Sequence, residues 1–209
     1  MKSIKKIITA ITMLGAGVHP LIAFDEPKYK ILEESDDIEV REYQSYLVAE
    51  TVVESSFEDA GNEGHRILAA YISGNNIKEE SIEMTTPVSQ EPVEAEGEEI
   101  EMAVPVSQEQ VAAGSYRIAF VMPDRFTLET LPAPQDKRIK LKEIPAKKVV
   151  VIKYSGTWSS ENYAEHESQL LEFIKQKSYT IKGKAIWARY DPPFMPWFMR
   201  RNEIMIEVE

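Results

Sequence analysis

The feature that most constrains this chain is that its second half replays its first. "YKILEESDDIEVREYQSYLVAETVVE" alternates polar and apolar residues in two runs, Ile38–Tyr43 and 46–53, which predicts a half-buried antiparallel hairpin. A helix follows. Ser55-x-x-Glu58 reads as a capping box, and Phe57, Ala60, Gly64, Leu68 and Tyr71 recur at helical spacing until Gly74 ends it. "SYRIAFVMP" is the next clear strand, and "FTLETLPAPQD" reads as an edge and turn. Then the order returns. "IKLKEIPAKKVVVIKYSG" gives two strands bent at Pro145, and "SSENYAEHESQLLEFIKQK" a helix with Tyr163, Leu170, Leu171 and Ile174 on one stripe. "KAIWARYD" and "NEIMIEVE" are strands around a proline-rich loop. A shift of about 102 residues lays Phe173-Ile174 over Tyr71-Ile72. Two strand–strand–helix–strand halves predict an α+β fold: a distorted antiparallel β-barrel with a pseudo-twofold repeat and two helices outside it or over its mouths.

A shorter repeat lies inside the first half. "IEMTTPVSQE" at 82–91 and "IEMAVPVSQE" at 100–109 agree at eight of ten positions. Two copies are too few for a solenoid. Each has β-branched residues and a Met interrupted by a proline, which predicts strand-like arms that cannot run as continuous central strands. The carboxylate-rich connection between them lacks the ligand spacing of a calcium loop and reads as solvated. Met84 and Met102, one per arm, are candidates to border a ligand groove.

The N-terminus bears on compartment. Lys2, Lys5 and Lys6 precede an apolar run, 7–18, that is short for a bilayer span, and Ala23 offers a small residue before a cleavage point. The expectation is a signal peptide at 1–23 and one domain at 24–209, periplasmic or secreted, with no integral membrane span in the mature chain. Removing three lysines takes the net charge from −11 to −14. Such a field disfavours nucleic acid as a partner. With no cysteine there is no disulfide, thiolate metal site or CxxCH haem attachment.

No nucleophile elbow, P-loop, HExxH or dinucleotide fingerprint is present, and no enzyme is expected. Beyond the predicted leader there are two histidines, His65 and His166, one on each helix. His65 borders the apolar stripe beside Leu68, Ala69 and Ile72, where it can face a ligand. "RYDPPFMPWFMRRNE" sets Phe194, Met195 and Trp197 on a loop stiffened by prolines and closed by Arg200 and Arg201. Those aromatics either plug the barrel or line a flat apolar pocket with a cationic rim, suited to a large planar ligand with carboxylates.

Several stretches together resemble the SOUL haem-binding family: "YKILEESDDIEVREY", "AAYISGNN", "IEMTTPV", "TLETLPAPQD", "VVVIKYSG" and "RYDPPFMPWFMRRNEI", in the family's order. The resemblance implies a pseudo-symmetric α+β barrel, similar to effector-binding domains of bacterial regulators. It implies non-covalent binding of haem or a related tetrapyrrole. Joined to the residues read above, it gives a candidate site of His65, Leu68, Ala69, Ile72, Met84, Phe194, Met195, Trp197, Arg200 and Arg201, with His65 as the best remaining nitrogen ligand for iron. Two family positions differ. A ligand histidine after the arginine of Arg-x-Tyr is here Glu42, and basic positions on the first helix are here Asn62 and Ala70. The alternatives are another hydrophobic, possibly cationic, small molecule, or an enzyme using a groove carboxylate.

Overall fold

The computed structural model describes residues 25–77 and 97–209. In chain order the elements are β1 (Tyr29–Ser35), β2 (Ile38–Tyr43), β3 (Tyr46–Glu54), α1 (Phe57–Ile72), β4 (Asn76–Ile77), β5 (Val106–Ala112), β6 (Ser115–Val121), β7 (Ala133–Pro134), β8 (Lys140–Ile144), β9 (Lys147–Tyr154), α2 (Ser160–Gln176), β10 (Ile186–Arg189) and β11 (Asn202–Glu207). Nine strands form one antiparallel sheet in the order β1-β2-β9-β11-β10-β5-β6-β3-β8. Setting β1 aside, that order reads the same from both ends under a pseudo-dyad between β10 and β5. The triplet β9-β11-β10 answers β3-β6-β5, and each half contributes its first strand to the other: β2 pairs with β9, β8 with β3.

The predicted hairpin is corrected by this topology. β2 and β3 are joined by two residues, Gln44 and Ser45, yet they are hydrogen-bonded to β9 and to β6 and β8 rather than to each other. Pro145 and Ala146 make the equivalent link from β8 to β9. Links of two residues bring near-opposite ends of the sheet order together, so the sheet is strongly curled, a half-barrel with β1 and β8 as its edges.

Alternation along each strand sorts side chains between the two faces. Val150 and Ile152 of β9, with Val40, Ile204 and Ile206, pack towards the helices. Val149 and Val151 join Tyr43, Ala188 and Met205 on the concave face. Both faces are covered, which is why "VVVI" is continuous rather than alternating. α1 lies over its own half, burying Ala60, Gly64, Leu68 and Tyr71. Its cap sits one residue later than the sequence reading: Ser56 Oγ accepts from the Asp59 amide at 3.1 Å. Such a cap stabilises a helix by about 1 kcal/mol. α2 starts from the Ser159 cap and buries Tyr163, Leu170 and Ile174, but Leu171 stands 40% exposed. A stripe of i, i+7 and i+11 already fills the contact, so its neighbour turns to solvent.

Candidate functional site

Each helix covers the triplet of its own half, which leaves a seam over β5 and β10. One end of the seam is filled by aromatic rings, Phe57 edge-on to Tyr163 at 5.2 Å and to Trp187 at 4.8 Å. Further along it opens as a cleft of about 330 Å³. Its helix wall is Gly61, Asn62, His65 and Arg66 of α1; Met102, Val104 and Val106 approach from the second repeat arm; Trp158 and the run Arg189–Pro193 complete it.

Gly61 makes room for Arg189. A Cβ there would lie 2.3 Å from the guanidinium Nη1. Arg189 Nη2 donates to Gln108 Oε1 at 3.1 Å and Nε to Tyr163 Oη at 3.2 Å, and the guanidinium lies 4.9 Å from the Trp158 ring centroid. Among the described residues it has no carboxylate partner. Arg66, one turn above Asn62, adds a second cation. The acid of the cleft, Asp191, is engaged, accepting from the Arg201 amide at 2.6 Å.

His65 stands at the rim with its ring edge-on to Phe120, 5.3 Å between centroids. Burial holds its imidazole below the ordinary 6.5, so it is neutral at physiological pH. Neutral imidazole is the metal-ligating form. His166 sits elsewhere, stacked on Tyr154 at 4.1 Å with Nδ1 against the Asn162 carbonyl.

Of the residues assigned to the site from sequence, the structure brings His65 to the cleft, and with it Met102 of the second arm. Leu68 and Ile72 belong to the core beneath α1, and Ala69 is half-buried beside them. Met84 lies outside the described residues. Phe194 and Trp197 neither plug the barrel nor line the cleft, standing 85% and 58% exposed, with Met195 half-buried at their base. Arg200 stacks on Trp158 at 4.3 Å and donates to the carbonyls of Met195 and Pro193. Arg201 is committed to Glu26 and Glu203. Arg189 and Trp158 were not read from the sequence; the signal available was an arginine inside the apolar run "AIWARYD".

A second hollow, about 280 Å³, lies on the concave face. Among the charged groups that line it, Glu50 and Glu109 both meet Arg117, at 3.4 and 2.6 Å, and Lys147 lies 3.8 Å from Glu207.

A family model described as SOUL heme-binding protein matches residues 24–207. Mouse Heme-binding protein 1 is 26% identical over 156 residues, 74% of this chain and 75% of that protein. The Xenopus laevis protein of the same name is 23% identical over 79% of this chain and 80% of its own length. The crystal structure of the EcmrR C-terminal domain superposes with a TM-score of 0.57 at 12% identity, covering 87% of this chain and 98% of that one. At that identity it shows a shared fold.

Proposed function

From the premise that the chain belongs to the SOUL heme-binding protein family, we propose that the seam cleft binds haem or a related tetrapyrrole non-covalently, outside the cytoplasm. The observation that carries the reading is a coincidence in one cleft. An apolar wall, an imidazole kept neutral and a guanidinium without a carboxylate partner all meet there. The donor set suits the group. Met102, Val104, Val106, Trp158, Pro192 and Pro193 offer apolar surface that excludes water from a macrocycle. His65 supplies one nitrogen. Arg189 and Arg66 supply positive charge for propionates, in place of Arg200 and Arg201, whose guanidiniums are engaged elsewhere. When bound, haem supplies an iron that accepts an imidazole. Two guanidiniums in the cleft disfavour a cationic ligand.

The role we assign is carriage, buffering or sequestration rather than catalysis, because Asp191 is tied to the backbone and, among the described residues, is paired with no nucleophile. Export rests on the charged start and short apolar run of the first 23 residues. Protein taken from the envelope fraction should lack about those residues by intact mass. The binding test is a titration of hemin into the purified protein. A saturable Soret shift that His65→Ala alters and His166→Ala leaves unchanged is expected. Absence of any saturable shift in the wild type overturns the proposal.

A further inference from the structure

The loop between β10 and β11 carries an apolar tip that the cleft does not use. Phe194 is 85% exposed, Trp197 58%, Phe198 61% and Met199 62%. Isolated exposed apolar residues are ordinary; four large ones within six positions are not. Nor is the tip slack. Its neck is closed by Tyr190 donating to the Arg201 carbonyl and by Asp191 accepting from the Arg201 amide. Arg200 reaches back to the carbonyls of Pro193 and Met195, Gly156 donates to the Trp197 carbonyl at 2.9 Å, and a 3₁₀ turn, Trp197–Met199, shapes the end. From Pro192 to Met199 there is no charged residue. A braced fold presenting these side chains to water has a reason to do so only if something apolar covers them.

We propose that this tip is a membrane-contact loop, inserting Phe194, Trp197 and Phe198 into the interface of a neutral or zwitterionic bilayer. Charge and composition select lipid. A chain of net −11 is repelled by anionic headgroups, whereas an uncharged tip with an exposed indole suits the interfacial layer of neutral lipid. The tip needs no ligand in the cleft, so the proposal stands apart from tetrapyrrole binding.

The chain has no cysteine, so one introduced thiol reports one place. Protein purified from the envelope fraction, carrying Phe198→Cys and labelled with an environment-sensitive fluorophore, is mixed with phosphatidylcholine vesicles. Ala113→Cys in the distal β5–β6 turn serves as the control position. A blue shift and quenching by spin-labelled lipid at position 198 but not 113 are expected, weakening as phosphatidylglycerol replaces phosphatidylcholine. Phe194→Ser with Trp197→Ser, both on exposed positions, should lower vesicle affinity by roughly tenfold or more. Three outcomes overturn the proposal: no response at 198, an equal response at both positions, or a lipid-free response that grows with protein concentration, which would mark a second copy as the occupant.

Discussion

Arg41 and Glu203, 162 positions apart, form a bidentate pair at 2.8 and 2.9 Å on the concave face with both side chains fully buried. They tie β2 to β11 across β9. Arg41 Nε also donates to Glu39 at 2.6 Å, and Tyr190 and Arg201 donate to Glu203. Removing one partner strands the other charge away from water. Arg41→Leu or Glu203→Leu should each cost about 3–5 kcal/mol in urea unfolding. The double Leu variant should lose less than the sum of the two.

Acid should unfold the protein through the same cluster. Burial alone would raise the Glu203 carboxyl, but hydrogen bonds and charge from Arg41, with Arg201 and Tyr190, hold it below the ordinary 4.5. Glu39 is likewise held down by Lys153 and Arg41 against burial. A depressed carboxylate contributes stability that is complete above its unfolded value and disappears as pH falls through the folded one. Denaturant midpoints should therefore be flat with respect to these groups above 4.5 and fall below it. Glu203→Gln should flatten that acid limb.

Haem affinity should depend on pH through His65. Its imidazole is held below 6.5 by burial, so proton and iron compete for it only in more acid solution. Hemin titrations should show constant affinity above 6.5 and weakening below it. His65→Ala should remove that dependence.

Arg189 rather than Arg200 or Arg201 should distinguish free propionates from their esters. Arg189→Gln removes charge-assisted bonds and should weaken hemin by roughly tenfold. Binding of the porphyrin dimethyl ester should change far less. Arg200→Gln should leave both ligands alone, while Arg201→Gln should lower thermal stability through Glu26 and Glu203.

Gly64 sets the spacing between α1 and β6. A Cβ there would lie 2.3 Å from Ile118 Cγ1 and 2.5 Å from its Cβ, in the fully buried core. Gly64→Ala should destabilise by about 1–3 kcal/mol, and Ile118→Ala in the same chain should recover part of that, as a double-mutant cycle in urea would show.

Element identity was legible because alternation and helical spacing are local properties. Strand pairing was not. "YQSY" has the length of a hairpin loop, and nothing local says that the strands on its two sides belong to opposite parts of the sheet. Within the site, His65 was legible from its place beside the apolar stripe. The cationic partner was misplaced to Arg200 and Arg201 because two adjacent arginines after an aromatic run look available. Their engagement by backbone carbonyls, by Trp158 and by Glu26 is a matter of tertiary position. Arg189 went unread for the converse reason, its surroundings being assembled from α1, β5 and α2.

The crossed pairing of β2 with β9 and of β8 with β3 also bears on origin and on folding. A half-length chain built to this plan leaves the outer edge of its sheet bare until a second copy lends its leading strand. Such a fragment is a dimer before it is a domain, and its stability scales with its concentration. Fusing two copies end to end makes the loan internal and frees the product from dilution. The cost is kinetic: β2 must wait for β9, more than a hundred residues later in synthesis, before its open edge is covered. A growing chain of this kind carries a β1–β2 hairpin with one open edge for most of its emergence, a condition under which holdase chaperones are needed.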